Sequence, residues 1–156
     1  MTIREMQAAD VEKVAALEAQ IFSMPWSVQG FFDTLGREDV VFLVAYEQDE
    51  LLGYVGVYCT ADEGEITNVA VAQTARRRGV AYALMSQLIE MLAGREIFRI
   101  VLEVRVSNEP AIRLYERMGF LKAGKRKSFY EKPTEDAYVM VLQPIVYYGE
   151  SKTESV

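Results

Sequence analysis

"LEVRVSNEPAIRLYERMGF", residues 102–120, contains a strand, a capped turn, a helix and a glycine stop in nineteen letters. Leu102 and Val104 alternate with Glu103 and Arg105, the period of a strand with one face in a core. Asn108 suits a helix N-cap, Pro110 falls in the first turn, and Gly119 follows the helix end. Two residues resist this reading. Glu103 places a carboxylate inside an apolar strand, and Tyr115 places a phenol on a helix whose other inward residues are aliphatic. Packing alone would accept Val and Leu there. The residues permit two accounts: a solvated edge carboxylate with a core aromatic, or an acid–base pair.

Upstream, "FRIVLEVRV" assigns Phe98, Ile100, Leu102 and Val104 to one face and Arg99, Val101, Glu103 and Arg105 to the other. "MTIREM" reads as a first strand, and Asp10 is expected to cap a helix carrying Val14, Leu17 and Ile21. Pro25 in "SMPWS" breaks that helix, and Ser27 caps a short one reaching Leu35. "VVFLVAYEQDELLGYVGVYC" is two apolar runs around an acidic turn, a hairpin signal. "GEITNVAV" is another strand. "GVAYALMSQLIEML" is a helix with Val80, Leu84, Leu88 and Met91 on one face, ended by Gly94. "DAYVMVL" is a final strand. The order β-α-α-β-β-β-α-β-α-β-β predicts one mixed α/β domain over 1–148, with 149–156 a frayed polar tail.

Composition narrows the chemistry. A chain of 156 residues, 51% hydrophobic, suffices for one sizeable core. It has no histidine and a single cysteine, Cys59, which removes histidine-based triads, histidine or cysteine-cluster metal sites and an internal disulfide; no metal is expected. Proton transfer must use carboxylates, phenols, hydroxyls, amines or backbone groups. The net charge of −6 argues against a nucleic-acid partner and would suit a cationic one. There is no 18-residue apolar run and no apolar stretch in "MTIREMQAAD", so a cytoplasmic protein without membrane contact is expected.

"NVAVAQTARRRGVAYAL", residues 68–84, carries a second chemical signal. "RRRGVA", Arg76 to Ala81, lies between a strand and a helix start, where unpaired N–H groups and the helix dipole attract anions. Small residues at 79 and 81 would let an anion reach the backbone. The pattern matches neither the P-loop nor the dinucleotide G-x-G-x-x-G fingerprint, and a solvated basic turn remains the alternative.

"NVAVAQTARRRGVAYALMSQLIE" followed by "LEVRVSNEPAIRLYERMGF" closely resembles the GNAT superfamily of acetyl-CoA-dependent N-acetyltransferases. The signature Arg/Gln-x-x-Gly-x-Gly/Ala reads here as Arg76-x-x-Gly79-x-Ala81. "MPWS" at 24–27, the 102–120 stretch and "KRKSFY....EDAYVM" at 125–140 resemble the RimI subfamily, which acetylates the N-terminal alanine of a small-subunit ribosomal protein. The likeness covers roughly 1–145. Ala81 stands where many members have Gly, and Met24 where Phe is common.

The resemblance implies a single-domain GNAT fold, a mostly antiparallel sheet whose central parallel strands splay, with flanking helices. Acetyl-CoA would lie along Val69, Ala70 and Val71, its pyrophosphate on the amides of Arg77, Arg78, Gly79, Val80, Ala81 and Tyr82, its thioester oxygen accepting from the amide near Val71. Asn108 would contact the pantetheine side. Glu103 would be the base for the incoming amine and Tyr115 the acid for the departing thiolate. A protein α-amine, pKa about 7.7–8.0, is roughly a tenth neutral at pH 7, whereas a lysine near 10.4 is not, so a carboxylate base suits the α-amine better. Trp26 and Tyr130 would border the acceptor channel, although packing explains each nearly as well. Cys59 reads as a small buried hydrophobe and "KAGKRK" as a solvated turn. The expected partner is a protein N-terminus, that of a ribosomal protein. A GNAT enzyme for a lysine or small-molecule amine, and a non-catalytic acetyl-CoA sensor, are the alternatives. A sensor would need neither Glu103 nor Tyr115.

Overall fold

A computed structural model describes residues 1–143; the last residues of the expected domain and its tail lie outside them. The strands are β1 (Thr2–Glu5), β2 (Val40–Glu47), β3 (Glu50–Thr60), β4 (Glu63–Val71), β5 (Arg99–Arg105), β6 (Leu121–Tyr130) and β7 (Glu135–Leu142). The helices are α1 (Val11–Ile21), α2 (Val28–Thr34), α3 (Val80–Gly94) and α4 (Glu109–Arg117), in the order read from sequence. The strands form one seven-stranded sheet, β1-β2-β3-β4-β5-β7-β6. β1–β2, β2–β3, β5–β7 and β6–β7 are antiparallel, whereas β4 and β5 run parallel.

The parallel ladder pairs Glu63–Ile66 with Arg99–Leu102. Both strands run on past the last pair, β4 to Val71 and β5 to Arg105. The chain forms two compact units, Met1–Tyr58 with Thr67–Leu88, and Cys59–Ile66 with the segment from Ile89 onward.

The first unit is built on the β2–β3 hairpin. β2 is buried along nearly its whole length, which explains its continuous apolar run. α1 lays Val11, Val14, Ala15 and Leu17 into a core with Phe31, Phe42, Val44 and Tyr54. Ser27 caps α2 by accepting from the Gly30 N–H at 3.0 Å. Asp10 departs from expectation. It precedes α1 but gives that helix no side-chain cap; its carboxylate takes Arg4 at 2.7 and 2.9 Å, the Gln7 N–H at 2.8 Å and the Tyr46 hydroxyl at 2.8 Å. A guanidinium within reach outcompetes a helix amide as a partner for an anion.

In the second unit Ile100, Leu102 and Val104 are buried as read, but Phe98 is exposed because β5 begins one residue later. Asn108 caps α4 by accepting from the Ala111 N–H at 3.3 Å, and Gly119 ends it at φ +102°. α3 buries Val80, Leu84 and Leu88, with Leu92 rather than Met91 completing the inward face. Gly94 is the last helical residue rather than the turn beyond it; the left-handed residue is Glu96, φ 61°. "KAGKRK" is solvated as expected, but it lies within edge strand β6, not in a turn. Its pairing to β7 through Leu121↔Val141 and Lys125↔Tyr138 accounts for this. Cys59 is only half-buried.

Candidate active site

β5 presents Val101, Glu103 and Arg105 on the face opposite Ile100, Leu102 and Val104. Glu65 of β4 lies opposite Val101 in the parallel ladder, so it is a diagonal neighbour of Glu103 on that face. The Glu103 side chain is 11% exposed, and Arg126 of β6 places Nε 3.5 Å from Oε1. Burial raises the Glu103 pKa above the usual carboxylate value, Glu65 raises it further, and Arg126 pulls it back. The result is a proton acceptor stronger than an ordinary surface glutamate.

Tyr130, at the end of β6, stacks on the Arg105 guanidinium, 4.5 Å from ring centroid to Cζ. Burial, and then the nearby Glu103, pushes its phenol up to about 12. Arg105 also donates to the Pro133 carbonyl at 3.0 Å, the Glu131 carbonyl at 3.1 Å and Glu135 at 3.2 Å. Glu135 in turn accepts from the Ser107 N–H at 2.8 Å. One guanidinium thus ties the β6–β7 turn to β5 and fixes Tyr130. Tyr115 is buried on α4 against Phe120, ring centroids 5.8 Å apart, and its carbonyl accepts from the Phe120 N–H at 2.9 Å. Burial, and then Tyr130, raises the Tyr115 phenol, so it stays protonated while an α-amine titrates.

In the first unit Val69 and Val71 are half-buried and Ala70 is buried. The Ala72 N–H donates to the Leu52 carbonyl at 2.8 Å. Arg77 and Gly79 both have positive φ, 64° and 74°, and a Cβ at Gly79 would meet nothing within 4 Å. The open position at Gly79 precedes the amides of Val80 and Ala81, which as first-turn residues have no intrahelical acceptor. The Arg78 side chain is engaged elsewhere, Nη2 donating to both Glu47 oxygens at 2.9 and 2.8 Å. Asn108 Oδ1 accepts from the Ala111 N–H as the cap of α4. Trp26 is half-buried on Phe31, Phe42 and Tyr58, with centroids 5.3, 6.1 and 6.5 Å away.

A model of the Acetyltransferase (GNAT) family matches residues 11–120. This chain belongs to the GNAT acetyltransferase family. It is 34% identical over 145 residues to the [ribosomal protein bS18]-alanine N-acetyltransferase of Salmonella typhimurium, covering 90% of this chain and 96% of that one. It is 30% identical to N-alpha-acetyltransferase RimI of Mycobacterium tuberculosis, covering 90% of each. The crystal structure of the ribosomal-protein-S18-alanine N-acetyltransferase from Escherichia coli superposes with TM-score 0.85 at 30% identity, covering 92% of this chain and 93% of that one.

For this GNAT acetyltransferase, the second unit sets Tyr130 within electrostatic reach of both Glu103 and Tyr115. Asn108 caps α4 of the same unit, while Trp26 and the 69–82 segment belong to the first. Sequence reasoning missed Arg105, Arg126 and Glu65. The strand alternation already set Arg105 on the Glu103 face. Arg126 and Glu65 become visible only once the ladder register is known, because each reaches Glu103 from a different strand.

Proposed function

We propose that this chain transfers the acetyl group of acetyl-CoA to the N-terminal α-amine of a protein, a ribosomal protein beginning with alanine. Acetyl-CoA supplies the acetyl group as a reactive thioester. The observation that carries the reading is Glu103, a nearly enclosed carboxylate whose pKa is raised by burial and by Glu65. Relatives named as bS18-alanine N-acetyltransferases support the acceptor class.

The room at Gly79 fits a diphosphate, whose oxygens the Arg77–Tyr82 amides would meet, with the Val69–Val71 backbone lining the pantetheine arm. The amide near Val71 would supply a donor to the thioester oxygen. Glu103 accepts the proton of the ammonium and frees the amine to attack. Because about a tenth of an α-amine is already neutral at pH 7, the base has less to do for this acceptor than for a lysine. Tyr115 donates its phenolic proton to the departing sulfur.

Thiol release against peptides with free and blocked N-termini tests the reading. Glu103→Gln should lower turnover about 10²–10⁴-fold, partly recovered at higher pH, with acetyl-CoA binding unchanged. A variant as active as the parent at pH 7 removes Glu103 from the reaction. Equal turnover of an N-blocked peptide through an internal lysine moves the acceptor to a side chain.

A further inference from the structure

The inward face of α1 is interrupted by a carboxyl group. Glu18 follows Leu17 in the helix and is 1% exposed, in a row otherwise filled by Val11, Val14 and Ala15. Three groups converge on it. The Tyr54 hydroxyl of β3 donates to Oε1. The Asn68 side-chain amide of β4 donates to Oε1 at 3.2 Å and Oε2 at 3.4 Å. The Trp26 backbone N–H, eight residues along the chain, donates to Oε2 at 3.0 Å. All three are donors, the set that an acceptor-only carboxylate requires. Asn68 must turn its nitrogen toward Glu18, since the opposite orientation would set oxygen against oxygen.

That constraint leaves a cost. Asn68 is 8% exposed, and its Oδ1 is, among the described residues, a buried side-chain acceptor without a hydrogen-bond partner. A core selected for stability alone would fill these positions with apolar side chains, because buried carboxyls and unmet acceptors oppose folding. What the cluster provides instead is a fixed position for one loop. The Trp26 N–H lies just past Pro25, which cannot itself donate, and the indole leans on Phe31 and Phe42 while remaining partly exposed. Glu18 therefore anchors the backbone of this half-buried aromatic to two central strands at once.

We propose that Glu18, held by Tyr54 and Asn68, is a positioning residue that sets the Trp26 loop and through it the preference for the acceptor's first residue. This rests on the reading above that Trp26 borders the acceptor. Glu18 touches no reacting atom; it acts through the loop, so its loss should change which peptides are acetylated while leaving acetyl-CoA binding alone.

The experiment compares kcat/KM for one peptide sequence starting with Ala or with Trp, alongside KM for acetyl-CoA and a thermal melt. Glu18→Gln presents an amide nitrogen to a site of donors. It should lower kcat/KM for the Ala peptide about 10- to 100-fold, the loss expected for one hydrogen bond to a charged group, and compress the Ala-to-Trp ratio. Glu18→Gln with Asn68→Asp restores a matching donor and acceptor at unchanged formal charge and should recover the ratio. Tyr54→Phe removes a donor but spares the Trp26 tie, so it should alter the melt and keep the ratio. A Glu18→Gln enzyme with the parental ratio overturns the proposal. So does a double variant that regains its melting temperature without its selectivity, or a Tyr54→Phe enzyme that loses the ratio equally, since either marks general core damage. Trp26→Ala separates the two ideas. An unchanged ratio there rejects the acceptor reading of the loop, while a ratio sensitive to Trp26 but not to Glu18 rejects Glu18 alone.

Discussion

Glu103 and Asp10 are both enclosed carboxyl groups, and their surroundings drive them in opposite directions. Around Glu103 burial and Glu65 disfavour the anion and Arg126 favours it. Arg126→Gln removes a cation that lowers the Glu103 pKa, so the acidic limb of the kcat/KM profile should move to higher pH; Glu65→Gln should move it lower. A limb that stays put in both variants would mean that another group sets it. Around Asp10 the Arg4 hydrogen bonds dominate and, with the Gln7 N–H and Tyr46 hydroxyl, outweigh burial, lowering its pKa to about 2 from 3.8. A depressed folded-state value contributes stability that is complete above the unfolded pKa and lost as pH falls through the folded one. Asp10→Asn should therefore cost about 1–2 kcal/mol at pH 7, shrinking toward nothing near pH 2. Denaturant midpoints across that range check it, and a pH-independent penalty would assign the effect to packing instead.

At the scale of elements, their order along the chain was legible because turn and cap residues sit where backbone geometry needs them: Ser27, Asn108 and Gly119 each do locally what their side chains allow. Asp10 was misread because its use depends on Arg4 and Tyr46, which only tertiary structure brings near. For the same reason Glu103 stood out as an anomaly in its strand, whereas Arg126 and Glu65, ordinary charges on their own strands, did not. Glu18 was hidden differently, since one acid in a helix carries no signature until three donors surround it. The glycines of β3 carry a packing role that the apolar run does not reveal. At Gly53 an added Cβ would stand 2.6 Å from the Ala70 carbonyl, with Val80 at 3.3 Å and Leu84 at 3.4 Å. β3 can approach β4 there only without a side chain. Gly53→Ala should destabilise the fold by about 1–3 kcal/mol, as overpacking does, and by displacing Ala70 should also weaken acetyl-CoA binding. Calorimetric titration of folded protein checks the second effect, and full affinity would detach Ala70 from the donor site.

Across the whole molecule, 23 acidic residues face 17 basic ones, which would draw a basic ribosomal-protein terminus toward the enzyme. The structure reduces that attraction. Among the acids, Asp39 pairs with Arg37, Glu47 with Arg78 and Glu63 with Arg99. Each pair is locally near neutral beyond a Debye length of about 8 Å at physiological salt. Basic residues are meanwhile concentrated on β6, where Lys122, Lys125, Arg126 and Lys127 lie exposed on an edge strand. Lys122 lies over the Tyr138 ring at 4.3 Å and Lys125 pairs with Asp136 at 3.8 Å, so these charges are held in place at the surface. A basic acceptor thus meets a net-negative protein with a fixed positive strand. Steering should be weak: kcat/KM for a basic Ala-starting peptide should fall only about two- to threefold between 50 and 250 mM salt, and a neutral peptide of the same first residue should stay flat. Replacing Lys125 and Lys127 by Gln should steepen the slope for the basic peptide by removing the opposing field. A slope that is already steep in the parent enzyme, or unaltered by those replacements, would show that the acceptor approaches a surface where β6 exerts no influence.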